Sequence, residues 1–128
     1  MKGFITNIEK ETLENTDYRR VLYTAKNSQL VLMSIEPGDE IGEEVHELDQ
    51  FIRLEAGTAT VVLNGESQDV PADSAVVIPA GVAHNVINTG DEPLKLYSVY
   101  APPEHKDQTV HATKADEQEE HFDGVTTE

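Results

Sequence analysis

Cysteine is absent from the 128 residues, which excludes disulfides, thiolate metal sites and cysteine nucleophiles and leaves His, Asp and Glu as the strong metal ligands. Basic residues are scarce: Lys and Arg number 9 against 25 Asp and Glu, a formal net charge of -16. A field of that sign repels nucleic acid and anionic lipid, so neither is expected as a partner. The acidic excess serves solubility or attracts a cationic ligand, and charge alone does not separate the two. Long apolar runs are also missing, and Met1 to Lys10 has no basic segment followed by an apolar one, so the expected location is the cytoplasm. No repeat of solenoid or propeller period occurs, and the length suits one domain, expected to span 1–128.

What the chain does have is a concentration of Val, Ile and Leu between residues 20 and 100. Runs rich in β-branched and aliphatic residues predict strands at Arg20–Thr24, Gln29–Glu36, Phe51–Glu55, Thr58–Leu63, Ser67–Val70, Ala75–Ile78, His84–Ile87 and Leu94–Tyr100. Turn residues punctuate them, among them Pro37-Gly38-Asp39, Asn64-Gly65 and Pro79-Ala80-Gly81. No window keeps helical spacing over three turns, which favours an all-β sandwich or jelly roll with a core over about residues 18–103. From Met1 to Asp17 a short helix or strand fits. From Glu104 to Glu128 the residues are mostly charged or small, which reads as a solvated helix or a disordered, peripheral tail.

In an extended segment, side chains two apart share a face, so Glu44 and His46 can point into a barrel while Val45 points away. Gln50 keeps that parity and adds an oxygen donor. His84 comes from a separate strand, and a closed sheet brings distant strands together at its interior. Glu44, His46, Gln50 and His84 are therefore the candidate ligands of one divalent metal ion. A buried Gln50 could equally bond the backbone or orient a ligand from behind.

The stretch Gly38 to Gly57 resembles the first motif of the cupins, with Glu44 and His46 at the positions of its two histidines and Gln50 at that of its acid. Asp73 to Asn88 resembles the second motif, with Pro79, Gly81, His84 and Asn88 at the family's intervals and Asp73 in place of its opening glycine. The resemblance implies a small single-domain cupin of the cupin 2 type, a jelly-roll barrel of the kind often likened to mannose-6-phosphate isomerases. The family's carboxylate and one imidazole have exchanged character here. Two neutral imidazoles, an amide and one carboxylate still present one negative charge to a divalent ion, so metal binding is expected to survive. An amide is a poorer donor than imidazole, which moves preference toward Mn, Fe or Zn, with Ni also considered.

Outside the motifs, His105, His111 and His121 are expected to be solvated or locally bonded, and Arg53 and Glu55 to form a surface pair. Tyr97 and Tyr100 could line a pocket mouth, though sheet aromatics usually pack. Two functions follow: a metal-dependent enzyme on a small polar molecule, isomerase-like or dioxygenase-like, or a non-catalytic cupin that binds or senses a small molecule. No basic cluster is evident on the ligand face, which counts against a sugar phosphate, and no general base is evident beyond Glu44. A homodimer covering an exposed sheet edge is expected.

Overall fold

The computed structural model describes residues 2–128. One helix, α1 (Ile8–Glu14), precedes the strands β1 (Arg19–Thr24), β2 (Gln29–Ile35), β3 (Asp49–Ala56), β4 (Thr58–Leu63), β5 (Glu66–Pro71), β6 (Ala75–Ile78), β7 (His84–Asn88), β8 (Leu94–Ala101) and β9 (Val110–His111). A six-stranded sheet runs β6-β3-β8-β2-β1-β9 and a three-stranded sheet β5-β4-β7, with antiparallel pairing throughout. This is the all-β jelly roll that the strand pattern predicts, with boundaries shifted by a residue or two.

Alternation sets the core. In β3, Gln50, Ile52 and Leu54 are buried, and their inward neighbours include Val31, Met33 and Ile35 of β2, Leu94 and Leu96 of β8, and Val61 and Val86 from the smaller sheet. β2 departs from strict alternation, with Leu32 and Ser34 buried on the outer face as well. Helix α1 packs on that outer side, against β2, β3 and β8. The side chain of Asn7 accepts from the N–H of Lys10 at 3.1 Å and starts the helix.

Two motif positions have structural explanations. Asn88 is buried, and its amide donates to the carbonyls of Ile35 and Glu92 at 2.8 and 2.9 Å while its Oδ1 accepts from Gly90 at 2.9 Å. It thereby stitches β7 to the end of β2. Asp73 has a φ of 67°, the left-handed region a glycine would enter without strain. Asp is among the residues that tolerate this conformation, which is why the turn survives the loss of glycine.

The C-terminal segment is neither a solvated helix nor free chain, contrary to the expectation from its composition. Gln29, buried on β2, donates to the His105 carbonyl at 2.8 Å, and its Oε1 accepts from the N–H groups of Glu104 and His105 at 3.3 and 2.9 Å. β9 pairs with β1, a single 3-10 turn spans Lys114–Asp116, and the Thr127 N–H donates to the Thr24 carbonyl at 2.9 Å. These fastenings are polar bonds to backbone, which need no apolar periodicity and leave no trace in composition.

Asp73→Gly is expected to change stability by less than about 1 kcal/mol, whereas Asp73→Val, a β-branched residue at positive φ, is expected to cost roughly 1–3 kcal/mol. Urea denaturation of both variants checks this, and equal effects would show that the turn makes no conformational demand.

Candidate metal centre

The segment carrying the first candidate ligands is not a regular strand. It lies along β7 through isolated bridges, Glu40 opposite Ile87 and Glu44 opposite His84. The Ile41 N–H donates to the Val86 carbonyl at 3.0 Å, and Glu44 and His84 exchange two backbone bonds of 2.9 Å each. Gly42 N–H is taken by the Asn85 side chain at 2.9 Å. The extended parity nevertheless holds: Glu43, Val45, Glu47 and Asp49 are exposed, while Glu44, His46, Leu48 and Gln50 are wholly or partly buried.

Three of the four candidate residues meet. The His46 and His84 rings lie 5.2 Å apart at 51°, and Nε2 of His46 donates to Oε2 of Glu44 at 3.2 Å. His84 Nδ1 donates to the Val82 carbonyl at 2.9 Å, which leaves the lone pair on Nε2. Gln50 is buried on β3, where its amide donates to Ser98 Oγ at 3.3 Å rather than to either imidazole. Its Oε1 is buried without a hydrogen-bond partner. An amide oxygen left unmet inside a barrel is costly unless something electropositive faces it.

The donor chemistry fits a divalent ion. Two ligands held about 2.1 Å from one ion at ordinary angles sit about 3.0–3.4 Å apart, and the 3.2 Å between Glu44 and His46 falls in that interval. Among the described residues, no three His, Asp or Glu side chains converge as a ready ligand set. The carboxylate and imidazole are instead paired with each other. That hydrogen bond raises the His46 pKa above its ordinary value, against the effect of burial, with the Glu104 and Glu44 charges adding to it. For Glu44, burial pushes upward but the His46 hydrogen bond and nearby positive charge win, and its pKa is lowered.

A cavity of about 550 Å³ opens beside the pair, walled by Arg19, Glu44, His46, Glu104 and His105 together with Glu117 to His121. Several of these residues correct the sequence expectations. His105 and His111 are buried, not solvated, whereas His121 is exposed. Tyr100 stands edge-on between the rings of His46 and His105, with centroids 6.1 and 5.2 Å away. Glu104 Oε2 lies 3.6 Å from His46 Nδ1, so a second carboxylate does stand near the imidazole. Arg19 places a cation on the ligand face. Its parity with buried Val21 at the head of β1 is a signal that could have found it. Nothing in the sequence marks Glu104 and His105, because Gln29 fixes them through their backbone.

Arg53 pairs with Glu55, but along one strand, β3, and not across two, with the Glu55 side chain only 4% exposed where a cross-strand surface pair was expected; Arg53 also reaches Asp73 at 3.4 Å.

A family model described as Cupin domain matches residues 31–100. The chain is 50% identical over 123 residues to the uncharacterized protein YrkC of Bacillus subtilis, covering 90% of this chain and 66% of that protein. It is 43% identical over 108 residues to the uncharacterized protein L612 of Acanthamoeba polyphaga mimivirus, covering 80% and 67%. It thus spans about two thirds of the length of both relatives. The crystal structure of BH2720 from Bacillus halodurans matches with a TM-score of 0.88 at 48% identity, covering 90% of this chain and 92% of that one.

Burial lowers the His105 pKa to about 3. The unfolded chain takes up that proton near its ordinary pKa of about 6.5 while the folded chain does not, so this residue subtracts stability as pH falls through that window. His105→Leu is expected to lose less stability than the natural chain between about pH 7 and about pH 4. Parallel denaturation curves at the two pH values would show that His105 is not held neutral.

Proposed function

Because this chain belongs to the cupin family, we propose that its barrel holds one divalent metal ion through His46, His84, Glu44 and Gln50 and acts as a metal-dependent enzyme on a small polar molecule. The observation that supports this most is the meeting of the His46 and His84 rings, 5.2 Å apart, with Glu44 at ligand-to-ligand spacing from His46. The unmet Oε1 of Gln50 on the adjoining strand adds a further donor. Mn, Fe, Zn or Ni suits two nitrogens and two oxygens. A bound ion would supply a Lewis acid for a carbonyl or hydroxyl oxygen, or a centre for oxygen chemistry, as in isomerase-like or dioxygenase-like reactions.

The chain's own residues supply the rest. The Val82 carbonyl fixes the tautomer of His84. Glu104, with its side chain 12% exposed beside His46, is the group placed to take or return a proton in the cavity. Tyr100 packs edge-on against the rings of both His46 and His105. A homodimer, formed by covering a sheet edge, belongs to the same proposal.

A second reading is favoured by the hydrogen bond that Glu44 and His46 make with each other. In it the pocket binds or senses a small molecule without a metal, and the pair is a polar contact for that ligand.

Elemental analysis after loading with Mn or Zn separates the two. The natural chain is expected to hold about one ion, and Glu44→Ala, His46→Ala and His84→Ala each to lower metal affinity by at least about tenfold, with a smaller loss for Gln50→Leu. Circular dichroism confirms that each variant folds. Metal content that is absent throughout would favour the metal-free pocket, and content unchanged by all four substitutions would sink the ligand assignment.

A further inference from the structure

One wall of the cavity is made by chain with few ties to the barrel. Residues 115–121 form an exposed strap. It is fastened at Lys114, whose Nζ donates to Asp39 Oδ1 at 3.1 Å, and at Phe122, whose N–H donates to the Glu104 carbonyl at 2.9 Å. Between these points its backbone bonds are local, running from Asp116 to Thr113, Glu117 to Lys114 and Glu120 to Gln118. Two side chains reach inward: Glu117 Oε2 meets Arg19 Nη1 at 2.6 Å, and His121 Nδ1 meets Glu104 Oε1 at 3.0 Å.

Arg19 is the uncommon partner. Its side chain is 4% exposed, it lines the cavity with Glu44 and His46, and its Nε is buried with no hydrogen-bond partner. Both hydrogen bonds of the guanidinium, to Glu117 and to His111 Nδ1 at 3.3 Å, are made by Nη1, and its carbon lies 5.3 Å from the centroid of the Tyr18 ring. A guanidinium is a rigid fork suited to holding a planar anion at two points. One-point capture by a side chain from a loosely fastened strap leaves that capacity unused. A purely structural buried arginine would be expected to have its donors met by the fixed sheet around it.

We propose that Arg19 determines specificity at this site by binding the carboxylate of a small-molecule ligand, and that Glu117 fills the position from within the chain until such a ligand displaces it. This rests on the reading of the cavity as a ligand pocket beside a metal. The acidity of the walls does not oppose it. Glu117, Glu119 and Glu120 belong to the strap and leave with it, as does His121, while Glu44 and Glu104 stay paired with His46 and Glu43 is exposed to solvent. What stays behind for a carboxylate is a buried cation with an unmet donor.

If the open state is only a small fraction of the molecules, apparent affinity for a carboxylate is reduced by that fraction, and removing the internal competitor restores it. Glu117→Gln keeps the side-chain size and removes the charge, at a residue whose side chain is 37% exposed. The test is calorimetric titration of malonate into the full chain, natural and Glu117→Gln, metal-free and holding one equivalent of Zn. Glu117→Gln is expected to bind malonate about tenfold or more tightly than the natural chain. Adding Arg19→Lys to Glu117→Gln is expected to abolish most of that gain, and the uncharged malonamide is expected not to compete. A Glu117→Gln chain that binds malonate no better than the natural one, or malonamide competing as well as malonate, would overturn the proposal. Should Zn fail to bind the natural chain, the metal assignment falls by itself, while the ratio between the two chains in metal-free protein still decides the role of Arg19.

Discussion

Two backbone hydrogen bonds between Glu44 and His84 hold the site together. They join a segment with no regular strand structure of its own to β7, and they are what makes residues 40 apart in sequence neighbours in space. Around them the Ile41, Gly42 and Asn88 contacts zip the same segment along the strand. The side chains of His46 and His84 then have little choice of position. The placement of these side chains is thus a product of main-chain pairing, which does not depend on which residue stands at position 44.

Electrostatics inside the cavity run against the field outside it. The surface is strongly acidic, yet the cavity wall contains a buried guanidinium and a histidine flanked by a carboxylate near each ring nitrogen. His105, whose ring lies 5.2 Å from that of Tyr100, is kept uncharged by burial and by the positive groups near it. Neighbouring imidazoles are therefore driven in opposite directions, one by hydrogen bonding to anions and one by loss of water.

The barrel was largely legible because its strands obey alternation and its turns use residues with distinct backbone demands. Asn64 and Gly65 take the positive φ values of the hairpin that their pairing signals, and β3 alternates from Gln50 onward as its sequence suggests. Spacing within the motifs also carried the positions of Glu44, His46 and His84. What the sequence concealed are the contributions of Glu104, His105 and the strap, while Arg19 was signalled only by its parity with Val21. Charged residues outside a motif look like surface, and nothing in composition tells that Gln29 spends its side chain on the backbone of Glu104 and His105. For α1 the sequence leaves a short helix or strand open, because seven residues are too few for periodicity to decide between them.

The clamp made by Gln29 has an implication for how such barrels diversify. It fixes main chain, not side chains, so whatever residues stand at positions 104 and 105 are delivered to the same place beside His46. These positions fall after the segment of residues 31–100 that defines the family pattern. Two proteins with the same barrel and the same ion-holding residues could therefore present quite different interiors to a substrate, by altering a stretch that motif comparison ignores. The residues that face the cavity and the main-chain frame that holds Glu44 beside His84 are, in this architecture, set by separate stretches of chain.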